Sequence, residues 1–250
     1  KTTMHNTEEK NYIFGIRAII EAVEAGKTID KLFIQKGLHN DLFSELWKLV
    51  REKRINYKHV PLEKINRLTR KNHQGVFAFI SPIDFHNIED VVPKLYEEGK
   101  NPLVLVLDRI TDVRNFGAIA RTAECAGVDT ILIPEQNAAA INADAIKTSA
   151  GALHKVTVCR TWNLKLALQF MKESGIQLIG CTEKTQDDMY KADYTTPTAV
   201  IIGSEEDGVS PEFLKMCDAR AKIPMNGKIA SLNVSVATGV ILYEAIRQRG

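Results

Sequence analysis

Residues 103–127, LVLVLDRITDVRNFGAIARTAECAG, decide the fold of this chain. They begin with five consecutive apolar residues, Leu103–Leu107, which is typical of a parallel strand that is covered on both faces. A polar loop follows, and then a stretch with apolar residues at helical spacing, from Phe116 to Ala126, which Gly127 ends. A strand, a loop and a helix in this order predict the first unit of a parallel α/β sheet.

The same alternation continues to the C-terminus and predicts a doubly wound, mostly parallel sheet over residues 102–250. The further predicted strands are 130–133, 155–159, 177–181, 199–202 and 221–224. The further predicted helices are 143–150, 164–173, a short one after Pro211, and 234–249. Ligands of such sheets bind beside the carboxyl ends of the strands, so the loops at that edge contain the candidate site.

Upstream of this sheet, residues 11–82 predict a separate small α/β domain, and residues 83–101 predict a linker with one short helix. The predicted helices of the small domain are 18–25, 41–53 with Asp41 as its cap, and 62–70. Its predicted strands are 31–35, 57–60 and 76–80. Residues 1–10 are polar without periodicity, which predicts a disordered end.

The composition is that of an ordinary globular protein, with 250 residues of which 44% are hydrophobic and 26% charged. The absence of an apolar run of roughly 18–20 residues and of a signal-peptide pattern argues against a membrane protein. The 4 cysteines lie far apart and the 6 histidines are scattered. We therefore expect no metal site and no disulfide scaffold, and the cysteine usage predicts a cytoplasmic protein.

The charge is unevenly distributed, although the whole chain carries only +2. Residues 48–71 contain nine basic and two acidic side chains, which gives this segment a net charge of +7. Such a segment attracts polyanions through phosphate contacts and counterion release. A solvated helix face is the alternative interpretation, and the sequence leaves both open.

Two loops at the predicted strand ends have unusual compositions. After the first strand, Asp112 or Asn115 is placed to cap a helix, and Arg121 follows more than one turn into it. A helix cap with a surface arginine is the structural alternative to a site there. After a later strand, the loop GSEEDG (203–208) has three carboxylates that would repel phosphate, which argues against a phosphate-binding or dinucleotide-binding loop. It suits a positively charged ligand such as a sulfonium, or it is an ordinary acidic turn.

A third loop, IPMNGKIASLNVS (223–235), places small polar side chains at the start of the last helix. Ser231, Asn233 and Ser235 form this cluster, and an N-cap with spare hydroxyl groups is the structural alternative.

Taken together, the segments NFGAIARTA (115–123), IIGSEEDG (201–208) and IPMNGKIASLNVSVA (223–237) resemble the three motifs of the SpoU family. These are the S-adenosylmethionine-dependent RNA 2′-O-ribose methyltransferases of the SPOUT superfamily. The segments NYIFGIRAIIEA (11–22) and HQGVFAFIS (73–81) are similar to the substrate-binding domain of the family's ribosomal-RNA members.

This resemblance implies a trefoil knot in the C-terminal domain, a homodimer, and a methyl donor held by backbone groups of the second and third motifs. The matching positions for S-adenosylmethionine are Gly203, Ile223 and Leu232, with Met225 nearby. The matching catalytic positions are Asn115, Arg121, Glu205, Ser231 and Asn233.

The reaction that the resemblance implies is methylation of the ribose 2′-hydroxyl of a guanosine in 23S ribosomal RNA, with RNA rather than DNA as the partner and without a membrane or a metal. Alternatives are a transfer-RNA ribose methyltransferase and a non-catalytic RNA-binding assembly factor. A nicotinamide oxidoreductase is disfavoured because the glycine fingerprint is absent.

One motif departs from the family pattern: Asp112-Val113-Arg114-Asn115 stands where the family has Asp-Pro-x-Asn, so the loop lacks the φ restraint of proline. An arginine is a poor base. We therefore expect Arg121 to bind the adjacent phosphate and stabilise the developing oxyanion, and Glu205 or a water molecule to accept the proton.

Overall fold

The computed structural model describes residues 11–229 and 231–250. The chain divides into two units, Lys1–Ile83 and Asp84–Gly250. The disordered end predicted at residues 1–10 lies outside the described residues.

The first unit is a four-stranded mixed sheet with helices. Its helices are α1 (Ile16–Glu24), α2 (Asp41–Glu52) and α3 (Leu62–Leu68). Its strands are β1 (Tyr12–Phe14), β2 (Ile29–Gln35), β3 (Tyr57–Val60) and β4 (Val76–Ile80). The strand order is β1-β4-β2-β3, in which only β2 and β3 run parallel. This makes β3 an edge strand. The sequence did not predict β1, because three residues are too few to show a strand period.

The helix α2 has a different cap from the predicted one. Asn40, not Asp41, is its N-cap: the Asn40 side chain accepts a 2.8 Å hydrogen bond from the Phe43 amide. The prediction of Asp41 as cap was wrong because a cap residue must be extended, as Asn40 is with φ −166°. Asp41 instead lies in the first turn, where its negative charge interacts favourably with the positive end of the helix dipole.

The second unit is a six-stranded sheet with helices. Its strands are β5 (Leu103–Leu107), β6 (Thr130–Pro134), β7 (Thr157–Thr161), β8 (Gln177–Cys181), β9 (Thr198–Ile202) and β10 (Ala219–Ala221). Its helices are α4 (Ile88–Glu97), α5 (Val113–Cys125), α6 (Ala143–Thr148), α7 (Leu164–Glu173), α8 (Pro211–Met216) and α9 (Val234–Arg249). The strand order is β10-β8-β9-β5-β6-β7, and all five pairings are parallel. The predicted fold class is confirmed, whereas the knot stays a prediction.

The two central strands, β5 and β9, are buried along their whole length, which explains why β5 is apolar at every position. Around them lies an apolar cluster that includes Val104 and Val106 of β5. Ile88 and Val92 of α4, the helix within the segment 83–101, belong to the same cluster. The segment that precedes β5 is therefore packed into the second unit.

Several element boundaries differ from the prediction by a few residues, and two of them bear on the candidate site. The helix α5 begins at Val113 rather than Phe116, because the Asp112 carboxylate accepts a 2.7 Å hydrogen bond from the Asn115 amide. The last strand was predicted at 221–224 but lies at Ala219–Ala221, where it pairs with β8. The apolar character of Ile223 suggested a strand. In the structure Ile223 is half-buried and lines a cavity, and it does not join the sheet.

Within the described residues, no helix combines the length and the apolar character that a bilayer span requires.

Candidate active site

Three loops that are far apart in the sequence meet at the carboxyl edge of the parallel sheet. Asn115 lies in the first turn of α5, Glu205 follows β9, and Asn233 precedes α9. The Asn115 amide donates a 3.1 Å hydrogen bond to Glu205 Oε1, and the Asn233 amide donates a 2.8 Å bond to the same oxygen. The Asn233 amide also donates to Asn115 Oδ1 at 3.0 Å. One predicted residue from each motif thus forms a closed triangle of side chains.

Local structure fixes two corners of this triangle. Asn233 is the N-cap of α9, where its Oδ1 accepts hydrogen bonds from the Ser235 amide at 3.0 Å and from the Ser235 hydroxyl at 2.6 Å. Asn115 is held by the Asp112 cap of α5. Asn233 therefore has the capping role that the sequence left open, whereas at α5 the cap is Asp112 and not Asn115. Both asparagines direct their side-chain NH₂ at Glu205.

The loop that carries Glu205 is tightly closed. The Gly208 amide donates a 2.9 Å hydrogen bond to the Ser204 carbonyl. A Cβ atom at Gly203 would lie 1.9 Å from the Gly208 carbonyl carbon and 2.0 Å from the Val209 amide nitrogen. Only glycine fits at position 203, because the two ends of the loop pass each other there in contact.

Arg109 and Asp108 hold this loop from the neighbouring strand end, and the sequence interpretation missed both. Arg109 Nη1 contacts the Asp207 carboxylate at 3.0 Å, and Arg109 Nη2 donates to the Gly208 carbonyl at 2.9 Å. The buried Asp108 carboxylate accepts from the Ser210 amide at 2.7 Å. Its hydrogen bond to Arg109 raises the pKa of that guanidinium. The available signal was an Asp-Arg pair directly after a buried strand.

A cavity of about 280 Å³ lies beside the triangle. Its walls include the four residues predicted to hold the methyl donor, and also Ser231 and Glu205: Gly203, Glu205, Ile223, Met225, Ser231 and Leu232. The end of β8 adds Thr182 and Glu183, which the sequence interpretation did not select. The volume is just below the range of about 300–1,000 Å³ that is usual for small-molecule sites.

A second cavity of about 330 Å³ adjoins the first. Arg109, Asp112 and Asn115 line it, and Glu205 and Val234 line both cavities. Within the described part of the chain, Glu205 Oε2 makes no hydrogen bond, whereas Oε1 also receives the Val234 amide at 3.4 Å. One oxygen of this carboxylate is therefore anchored and the other is free to accept a hydrogen bond.

Among the predicted site residues, Asn233 lines neither cavity but belongs to the triangle. Arg121 lines neither cavity and makes no hydrogen bond to the triangle. It is exposed, and among the described residues it has no hydrogen-bond or ion-pair partner. It lies six residues beyond Asn115 on α5, which rotates it by about 120° from that residue around the helix.

No group of three or more His, Cys, Asp or Glu side chains in residues 11–229 and 231–250 is arranged to hold a metal ion. All four cysteines are free thiols. Burial raises the pKa of the Cys181 thiol, which lines the first cavity, so it is a poor nucleophile there.

A parallel α/β sheet with two adjoining cavities at its carboxyl edge is the usual arrangement of a ligand-binding α/β protein. The model of the SpoU rRNA Methylase family matches residues 102–243. The model of the RNA 2′-O ribose methyltransferase substrate-binding domain matches residues 12–86. The chain belongs to the SpoU family of RNA methyltransferases, as the sequence predicts.

Relatives of similar length share both units. A Bacillus subtilis protein named as the TrmH family tRNA/rRNA methyltransferase YacO is 32% identical over 243 residues, which cover 97% of this chain and 98% of the relative. A Staphylococcus saprophyticus protein with the same family designation is 34% identical over 241 residues, with 96% and 97% covered.

Two solved structures show the same fold. The SpoU methyltransferase AviRb from Streptomyces viridochromogenes, in complex with AdoMet, aligns with a TM-score of 0.61 and 25% identity over 95% of this chain and 90% of that one. The A. aeolicus TrmH/SpoU tRNA modifying enzyme aligns with a TM-score of 0.55 and 36% identity over 65% and 84% of the two chains.

Proposed function

We propose that this protein transfers a methyl group from S-adenosylmethionine to the ribose 2′-hydroxyl of a guanosine in 23S ribosomal RNA. The observation that carries the proposal is the Asn115–Glu205–Asn233 triangle, because its Glu205 lines two adjoining cavities and keeps one carboxylate oxygen free.

The 280 Å³ cavity fits the methyl donor by its chemistry. Gly203 lines the cavity with backbone alone, because a side chain there would collide with the backbone of Gly208 and Val209. Ile223, Met225 and Leu232 offer apolar contact, and Glu183 and Glu205 supply negative charge for a cationic ligand. When bound, S-adenosylmethionine supplies an activated methyl group on a positively charged sulfur. The crystal structure of AviRb in complex with AdoMet supports this choice of donor.

In this proposal Glu205, or a water molecule bound to it, accepts the proton of the ribose hydroxyl. Its Oε1 is held by the two asparagine amides, so the direction of the carboxylate is fixed before the substrate binds. Its Oε2 has no hydrogen-bond partner among the described residues, and Glu205 lines the 330 Å³ cavity. A positioned base of this kind contributes about 10²–10⁴-fold to a rate.

Arg121 binds the phosphate next to the target ribose and stabilises the oxyanion in this proposal. Because Arg121 lines neither cavity of its own chain, a second copy of the chain has to bring its arginine to the site. We therefore propose a homodimer that joins through α9, where Val236 and Tyr243 are 52% and 54% exposed and Val240 lies between them on the same stripe. Exposed apolar stripes of this kind mark contact surfaces.

Ribosomal RNA is favoured as the substrate by the match of residues 12–86 to a substrate-binding domain that precedes the catalytic one. A transfer RNA is the second candidate, because the A. aeolicus tRNA modifying enzyme shares 36% identity over 65% of this chain. We propose the cytoplasm as the location, in keeping with four unpaired cysteines.

The decisive experiment combines binding and transfer. Calorimetry with S-adenosylmethionine, followed by transfer of a radiolabelled methyl group to 23S ribosomal RNA and to total transfer RNA, separates the candidates. We expect binding and labelling of a single ribose in 23S RNA. Binding without transfer to either RNA contradicts the proposed reaction, and absence of binding favours a non-catalytic assembly factor.

The arginine has its own test. We expect Arg121→Lys to lose most transfer activity, because lysine lacks the planar fork that binds a phosphate in two places. A rate close to that of the wild type would contradict this role.

A further inference from the structure

Four aromatic rings gather at one edge of the sheet in the first unit. Phe43 and Trp47 lie on α2, and Tyr57 and His59 lie on the edge strand β3. The ring centres of Trp47 and Tyr57 are 4.9 Å apart, those of Trp47 and His59 are 6.1 Å apart, and those of Tyr57 and His59 are 5.5 Å apart. Two residues apart on a strand, Tyr57 and His59 point to the same face.

Part of this cluster is not needed for the core. Phe43 and Trp47 are half-buried and pack against the apolar cluster beneath α1 and α2. Tyr57, by contrast, is 42% exposed, and His59 is exposed as well. These two outer rings are therefore accessible to the solvent, whereas the inner pair packs against the core.

The surroundings of the rings are cationic. Arg51 lies one turn beyond Trp47 on the same stripe of α2, and Lys53 and Arg54 follow at the end of the helix. Among the described residues, none of these three has an ion-pair partner. On the same helix, Lys48 forms an ion pair with Glu52 at 3.9 Å. The charge and the rings therefore form one continuous surface, which we call the aromatic edge: Phe43, Trp47, Arg51, Lys53, Arg54, Tyr57 and His59.

We propose that the aromatic edge binds single-stranded RNA, with bases stacked on Tyr57 and His59 and phosphates bound by Arg51, Lys53 and Arg54. This inference rests on the proposed function in so far as RNA is the substrate. Exposed rings combined with cations fit this ligand, because every base has a face that stacks on an aromatic ring and every linkage carries a negative charge. Duplex RNA does not fit, since its bases are already stacked on each other.

The proposal separates two kinds of residues by their effect. Loss of a stacking ring weakens binding without changing the number of phosphate contacts, so its salt dependence stays the same. Loss of an arginine that contacts a phosphate lowers the slope of log K against log salt by about 0.7, the value for one contact with a single strand.

Trp47 offers a direct reporter, because the chain has only one other tryptophan, the exposed Trp162 of the second unit. In a Trp162→Phe background, Trp47 emission is titrated with a short single-stranded oligoadenylate and with an RNA duplex of equal length. We expect the single strand to change the emission and to bind at least tenfold more tightly than the duplex. Equal binding of the two probes would overturn the proposal.

Variants at Tyr57 complete the test. We expect Tyr57→Ala to weaken single-strand binding at least fivefold with an unchanged salt slope, Tyr57→Phe to bind as the wild type, and Arg51→Ala to lower the slope. Tyr190→Ala is the matched control, because Tyr190 is a tyrosine of the second unit that is 59% exposed. If Tyr57→Ala proves unstable to urea, His59→Ala takes its place.

The methyl-transfer assay distinguishes this inference from the proposed function. We expect Tyr57→Ala to raise the KM for RNA and to leave kcat unchanged. If the wild type transfers methyl groups but Tyr57→Ala and His59→Ala bind the oligoadenylate normally, only the stacking proposal is contradicted. The proposed function would stand.

Discussion

Asn233 donates a 2.8 Å hydrogen bond to Glu205, although the two residues lie 28 positions apart and follow different elements. The bond ties the start of α9 to the loop after β9. Because Asn115 joins the same carboxylate oxygen, the loops of all three motifs depend on one another for their positions.

Asn233→Asp tests this dependence without removing the helix cap. Aspartate caps a helix as well as asparagine does, but it has no amide hydrogens to donate and places a second negative charge beside Glu205. Because hydrogen bonds to charged groups contribute about 1.5–3 kcal/mol, we expect kcat for methyl transfer to fall roughly 10- to 100-fold. Asn142→Asp, the cap of α6, is the matched control and should retain full activity. Equal losses in both variants would speak against the triangle.

Gly203→Ala is expected to disrupt the loop and with it the binding of S-adenosylmethionine. The added methyl group would lie 1.9 Å from the Gly208 carbonyl carbon, so backbone has to move. We expect a loss of about 1–3 kcal/mol in the free energy of unfolding and no calorimetric signal with the methyl donor. Gly227→Ala is the control, since no atom lies within 4 Å of its added Cβ. Normal binding by Gly203→Ala would contradict the assignment of this loop.

Arg109→Lys is expected to loosen the same loop from outside. Lysine keeps the charge but lacks the fork that contacts Asp207 and the Gly208 carbonyl together. We expect the KM for S-adenosylmethionine to rise about tenfold while kcat changes less, because the loop is displaced and the proton acceptor is retained. Arg17→Lys, an exposed position on α1, serves as the control in the same steady-state assay. An unchanged KM would count against the role of Arg109.

Glu244 gives α9 a pH-dependent contribution to stability. Hydrogen bonds from Arg247 and Gln248 lower the pKa of Glu244 from 4.5 to about 2. Since the folded-state pKa is the lower one, this stabilisation is complete above pH 4.5 and is lost as the pH falls toward 2. We expect Glu244→Gln to lower the urea midpoint of unfolding at pH 7. Near pH 2 the midpoint of the variant should approach that of the wild type. A constant difference between the two proteins across this range would rule out the linkage.

The sequence predicted the parts of the fold whose signal is local. The continuous apolar run of β5 and the apolar spacing of α7 and α9 gave the observed bounds. The strand β10 was predicted too far along the chain, because the apolar Ile223 was assigned to the sheet although it lines a cavity. The environment of such a residue depends on contacts with distant parts of the chain, and a local window of sequence does not contain those contacts.

The candidate site follows the same rule. The residue types of the three motifs were recognisable from their resemblance to a family, and the structure brings Asn115, Glu205 and Asn233 into contact. Asp108 and Arg109 were missed because their partners, Ser210, Asp207 and Gly208, lie 98 to 102 residues away. An acidic and a basic residue directly after a buried strand mark a position worth examining, but they do not show which distant residues they contact.

Glu205 belongs to the walls of both cavities, so whatever fills one of them meets a side chain that also faces the other. If an occupant of the first cavity improves the affinity of the second, thermodynamic linkage requires that the second improve the first by the same factor. The methyl donor and the nucleotide would then each raise the affinity of the other through a single carboxylate. A demethylated donor that contacts this carboxylate differently would lower the affinity for RNA.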